Sequence, residues 1–146
     1  MVEWKYRAID KLRDYKAKQA AILNLPDEIA TLRSELTSIK SISDSPSVSG
    51  GGGKRDDKLI SCIVKRQELE RLLSRARSDV REVERGLDVL TAEEKRVLEA
   101  MYIDRVKGAP EALADEFCLE DVRSVYKRAD KALLKFTIAI YGCTES

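Results

Sequence analysis

The sequence predicts an all-α protein: a long antiparallel, coiled-coil-like helical hairpin followed by a C-terminal three-helix helix-turn-helix domain. Three observations carry this reading. Apolar residues recur at alternating steps of three and four along two long stretches, one on each side of a glycine-rich segment. From Thr91 onward the pattern changes to shorter amphipathic runs, each opened by a capping signal. Charged residues make up 36% of the 146-residue chain and aromatics only 5%, a balance suited to helices with wide solvated faces.

Residues 1–43 read as a helix or a kinked helix pair. Ile22, Leu25, Ile29, Leu32, Leu36 and Ile39 follow one another at heptad spacing, so they fall on a single seam. Pro26 followed by Asp27 and Glu28 suits the first turn of a new helix, because proline lacks only a donor that would be orphaned there anyway. A kink or brief break is therefore expected near Asn24–Leu25. The basic residues Lys5, Arg7, Lys11, Arg13, Lys16 and Lys18 could touch phosphate, but Glu3, Asp10 and Asp14 lie among them and favour an ordinary solvated face.

Residues 44–57 read as a flexible Ser/Gly linker: four of the seven glycines stand together at Gly50–Gly53 and no apolar period runs through the stretch. A phosphate-binding loop is excluded here. Val48 stands where that motif needs glycine, and Arg55 where it needs serine or threonine.

Residues 58–90 carry the stronger helical signal. Leu59, Cys62, Arg66, Leu69, Leu73, Ala76, Val80, Val83, Leu87 and Leu90 keep the three-four alternation, with Arg66 the polar exception. Such a helix would run about 48 Å at ~1.5 Å per residue. Its stripe and that of 1–43 both need cover. Folding one helix back on the other satisfies this, and so does a parallel dimer coil through 59–90.

In 91–146, Thr91 and Glu94 form a capping-box pair ahead of the apolar face Val97, Leu98, Met101 and Tyr102. Gly108 and Pro110 open a second, short helix in which Leu113, Ala114 and Phe117 face inward. Cys118-Leu119-Glu120 makes a tight turn. Asp121 then caps a third helix, 121–136, whose Val122, Val125, Ala129, Ala132, Leu133 and Phe136 share one face. Two helices joined by a short turn with a small residue at the crossing form the helix-turn-helix pattern.

The opposite face of the third helix points to DNA. Arg123, Ser124, Lys127 and Lys131 lie away from the core, with Arg128 at the margin. Residues 121–136 hold five cations (Arg123, Lys127, Arg128, Lys131, Lys135) against two anions (Asp121, Asp130). A recognition helix needs that arrangement: residues near its N-terminus reach base edges and flanking cations neutralise phosphates. Beyond it, Leu134, Ile138 and Tyr141 form a second apolar stripe, which predicts packing against the long helices or a second subunit.

The segment LTAEEKRVLEAMYIDRVKGAPEALADEFCLEDVRSVYKRADKALLKF, Leu90 to Phe136, resembles region 4 of the sigma-70 family. It is most similar to the small phage and prophage transcription regulators of Gram-positive bacteria of the RinA and ArpU type. The matching marks are Leu90-Thr91 with Glu94, Tyr102 at the end of the first helix, Leu113-Ala114 in the second, and Arg123-Ser124-Val125-Tyr126 with Ala132-Leu133 in the third. The resemblance implies a sequence-specific DNA-binding transcription regulator, with Arg123, Ser124, Tyr126, Lys127, Arg128 and Lys131 as the DNA-contacting set. It also brings RNA polymerase into view as a partner. The chain departs from the family at the turn, where Cys118 replaces a residue that is usually glycine and the spacing runs one residue longer.

Other classes are disfavoured. The chain has no histidine, and its three cysteines, Cys62, Cys118 and Cys143, are too scattered for a zinc site or disulfide framework. No nucleophile–base pair can be assembled, so an enzyme, a metal centre and a cofactor are not expected. No apolar run approaches the length that spans a bilayer and no secretory signal opens the sequence, so a cytoplasmic protein without a membrane partner is expected. Net charge is only +1, so the case for double-stranded DNA rests on where charge is placed. The rivals are a coiled-coil adaptor whose sigma-like domain binds a protein, and a phage packaging component. A homodimer through the heptad helices or through Leu134, Ile138 and Tyr141 fits any of them.

Overall fold

The computed structural model describes residues 3–43 and 52–144, and all of their regular structure is helical. Helix α1 spans Glu3–Ser43 and α2 spans Gly52–Asp88. Helix α3, Ala92–Leu98, passes directly into a π-helical turn, Glu99–Ile103. Helix α4 covers Ala109–Glu116 and α5 covers Val122–Tyr141. The all-α expectation holds.

Three boundaries differ from expectation. α1 runs through Pro26 without a break. The missing donor at that position costs the helix one backbone bond, which the long turns on either side outlast. α2 begins at Gly52, so residues 52–57 of the expected linker are helical, while 44–51 lie outside the described residues. α5 continues five residues past the expected end at Phe136, until Gly142 takes a left-handed φ of 80° and stops it.

The chain divides into two compact units, one formed by Met1–Lys18 with Ser78–Ser146, the other by Gln19–Arg77. The expected domain boundary at residue 91 is thus not where the units divide. The physical reason is the cluster of Ala8 and Leu12 from α1, Val83 and Leu87 from α2, Leu98, Ile103, and Ala132, Leu133 and Phe136 from α5. The C-terminal half of α5 finds its cover on the first turns of α1 and the last turns of α2. α1 and α2 run antiparallel here: Lys18 pairs with Asp79 at 2.8 Å and Lys11 with Glu82 at 2.6 Å. The approach of α2 to α5 is close, since a Cβ built on Gly86 would lie 2.6 Å from two ring carbons of Phe136.

A second cluster in this unit gathers Val97, Ala100, Ala109, Leu113, Ala114, Val125 and Ala129 from α3, the π-helical turn, α4 and the first half of α5. Alanines at 100, 109, 114 and 129 let the short helices cross closely. α5 therefore runs between two cores and serves as the spine of the unit.

In the second unit α1 and α2 face each other alone. Ile29, Leu36, Cys62, Leu73 and Ala76 are buried between them. The Cys62 thiol donates to the Leu32 carbonyl at 3.4 Å, and Arg33 pairs with Glu70 at 3.0 Å. Arg66, the polar exception in the seam, keeps a buried Nε without a hydrogen-bond acceptor and has Glu70 3.9 Å away. Its charge is partnered at a distance, but its donor is not.

Candidate nucleic-acid interface

The site is built on α5, which is positioned at its N-terminus by two local devices. The Asp121 carboxylate accepts from the Ser124 backbone N–H at 3.2 Å, satisfying one of the donors every helix start leaves open. Ahead of it, α4 ends in a Schellman motif: the Leu119 N–H reaches the Ala114 carbonyl at 2.8 Å and the Cys118 N–H reaches Asp115 at 3.3 Å. That motif needs a left-handed residue at its hinge, and Cys118 supplies it with φ of 56°. Cys118 thus occupies a backbone position at which glycine is normally favoured.

α3 crosses beneath, fixed by a complete capping box: the Glu94 N–H donates to Thr91 Oγ1 and the Thr91 N–H to Glu94 Oε1, both at 3.2 Å. The π-helical turn that follows carries Tyr102 and is closed by the Asp104 N–H on the Glu99 carbonyl at 2.7 Å. The extra residue in this turn lets both Ala100 and Ile103 reach buried positions, one in each core cluster. Half-buried Tyr102 has its hydroxyl pushed above the ordinary value, first by burial and then by Asp130 and Tyr126.

Against this frame the six predicted contact residues separate into groups. Arg123, Lys127 and Lys131, at steps of four, form one exposed stripe on the side of α5 opposite Val125, Ala129 and Ala132. None of the three enters an ion pair among the described residues, whereas Arg128 and Lys135 on the same helix do. Ser124 is half-buried beside the stripe, and Tyr126, 49% exposed, flanks it on the side of Tyr102.

Arg128 stands apart. Its guanidinium pairs with Glu93 at 2.8 Å and sits 5.6 Å from the centre of the Phe117 ring. Lys135 is likewise held by Glu94 at 3.0 Å. Burial works to raise the Glu94 carboxyl, but the bonds from Lys135 and from Thr91 outweigh it and hold the group below its usual range. These partners were hidden from sequence reasoning because 35 residues separate Glu93 from Arg128. The capping-box signal located Glu94 but gave no hint of its second bond.

Between α3 and α5 lies a cleft of about 380 Å³ lined by Thr91, Glu93, Glu94, Val97, Arg128, Lys131 and Lys135. Within it Glu93 pairs with Arg128 and Glu94 with Lys135, which leaves Lys131 as the lining cation without an ion pair among the described residues. Farther along the same side, Leu134, Ile138 and Tyr141 are 39%, 47% and 41% exposed. The helices α1 and α2 are instead met by Ala132, Leu133, Phe136 and Ile140. Of the stripe expected to pack on them, only Tyr141 is engaged, with the Lys11 ammonium 5.5 Å from its ring centre. Among the described residues no cluster of potential metal ligands occurs, and no helix is long and apolar enough to cross a membrane.

No family model matches the chain, and no curated protein or solved structure matches it either.

Proposed function

We propose that the chain is a sequence-specific regulator of transcription that places the N-terminal half of α5 in the major groove of duplex DNA. The observation that carries this reading is the stripe Arg123, Lys127 and Lys131: three exposed cations, without an ion pair among the described residues, on the outward face of a helix whose opposite face is locked into two cores. A rigid helix with its free charge turned outward is what groove binding requires. Arg123 and Lys127 lie near the helix start, where side chains reach base edges, and Lys131 lies a turn farther on, where it meets phosphate. Ser124 and Tyr126 border the same surface. Arg128 contributes by bracing α5 against α3 through Glu93, with DNA contact requiring that pair to open.

The test is fluorescence-polarisation binding to duplex DNA from the promoter neighbourhood of the chain's own gene, at two salt concentrations. Binding should weaken with salt by ~0.9 in log K per log unit for each neutralised phosphate. The Arg123→Ala/Lys127→Ala variant should lose ~10-fold or more in affinity, and Lys131→Ala should lower the salt slope by about one. A folded protein that binds no DNA would favour a second reading. In that reading the exposed Leu134, Ile138 and Tyr141 dock the domain on a protein such as RNA polymerase.

A further inference from the structure

We infer that the second unit, Gln19–Arg77, is a dimerisation element that pairs with a second copy of this chain through one side of its two-helix layer. The observation behind it is an open groove of about 380 Å³ between α1 and α2, lined by Glu28, Thr31, Leu32, Lys65, Glu68 and Leu69. Its floor is apolar. Leu25 stands seven residues before Leu32 on α1, and on α2 Leu72, 40% exposed, stands seven after Lys65, so the apolar strip continues along the same side. Two helices alone bury only the stripe each turns to the other, and the strip beside that seam needs a further layer.

Charge decides what the further layer is. Glu28 and, one heptad later, Glu35 edge the strip on α1, whereas Lys65 and, one heptad earlier, Lys58 edge it on α2. All four are exposed and none enters an ion pair among the described residues. Glu68, on the same rim, is already neutralised by Arg71 at 2.7 Å. Because α1 and α2 are antiparallel, Glu28 is level with Lys65 and Glu35 with Lys58. The groove thus has an acidic edge and a basic edge of matching spacing.

Such a surface is complementary to itself. A two-fold axis parallel to the helices lays α1 of one copy over α2 of the other. Glu28 then meets the partner's Lys65, Glu35 meets the partner's Lys58, and the strips Leu25–Leu32 and Leu69–Leu72 close on each other. A two-fold axis across the helices would instead set α1 on α1 and oppose like charges, so the charge pattern selects the parallel arrangement. The area is sufficient: about 20 residues of each helix present a face of roughly 30 Å by 20 Å, or ~600 Å² per copy and ~1,200 Å² in total, at the lower end of stable interfaces. A dimer that dissociates on dilution is expected.

The experiment is sedimentation-equilibrium measurement of the full chain without DNA, so its outcome is independent of whether α5 reads DNA. The wild-type chain should be dimeric at ~100 μM and dissociate towards monomer on dilution. Lys58→Glu/Lys65→Glu should weaken the dimer at least ~10-fold, and adding Glu28→Lys/Glu35→Lys to it should restore affinity to within ~3-fold. Since all four side chains are exposed and unpaired, helicity by circular dichroism should be unchanged in each variant. A wild-type chain that stays monomeric at every concentration overturns the proposal, whatever the variants do. So does a lysine-reversed chain that dimerises undiminished, or a fourfold swap that remains as weak as the lysine reversal.

Discussion

The same two helices run through both units of the molecule, and they are packed to different depths in each. On α1, Leu12 in the first unit is 0% exposed and Leu36 in the second is 8%. Among the described residues, the large side chains that are fully buried, Phe136, Leu98, Leu113, Leu133 and Val125 among them, all belong to the first unit. In the second, Leu23, Ile60 and Val64 are more than half exposed. A heptad seam covers one stripe per helix. Complete burial needs an element laid across the seam, and in the first unit α5 is that element. The lesson is that an unbroken apolar period specifies partners without specifying how many.

The largest expected effect tests this contrast directly. Phe136→Ala removes an α5 ring clustered with buried residues of α1, α2 and α3 and should cost about 3–5 kcal/mol, measured by urea denaturation. Leu36→Ala should cost about 2 kcal/mol, the lower end of the range for such truncations, because its site borders solvent and can relax. Equal losses at the two positions would break the comparison. Native-state amide exchange should report the same ordering, with protection in 19–39 and 58–77 failing before that in 129–138.

A smaller effect sharpens the contrast at the crossing of α2 and α5. Adding a methyl at Gly86 drives it against the fully buried ring of Phe136 and against Ile140. Overpacking of this kind costs about 1–3 kcal/mol, and the better helix propensity of alanine returns up to about 1. Gly86→Ala should therefore be destabilising by about 1–2 kcal/mol, although alanine normally strengthens a helix. Ser74→Ala, on the exposed face of α2 in the second unit, should stay within ~0.5 kcal/mol of the wild type.

Much of this architecture was legible in the sequence, for reasons that are local. Thr91 and Glu94 declare α3 through capping chemistry, and Asp121 with the face Val125–Ala129–Ala132–Leu133–Phe136 declares α5 through capping and periodicity. The outward position of Arg123, Lys127 and Lys131 followed from the same period. What stayed hidden depends on contacts between distant residues. Nothing in the spacing of Ala8 and Leu12 announces that they close the core with Phe136, so the sequence places the first turns of α1 in the hairpin. At Pro26 proline's local cost is visible in the sequence and predicts a break, while the cohesion of the turns on either side, which carries α1 through it, is not. The pairing of Arg128 with Glu93 is invisible for the same reason, and it separates that residue from Arg123, Lys127 and Lys131.

The smallest effect concerns the turn that sets the register of α5. At φ of 56°, Cys118 holds a conformation in which its Cβ crowds the backbone, at a cost of roughly 1–2 kcal/mol for an ordinary residue. Glycine removes that cost but adds freedom to the unfolded chain, which offsets part of the gain. Cys118→Gly should therefore stabilise the first unit by about 0.5–1 kcal/mol in urea denaturation while leaving amide exchange in 19–39 and 58–77 unchanged. A valine at the same position should move stability the other way, since a branched Cβ is least tolerated at positive φ. If both substitutions left stability unaltered, the Schellman geometry would not be the device that fixes where α5 begins. The alignment of Arg123 and Lys127 would then rest on the Asp121 cap and the core beneath Val125 alone.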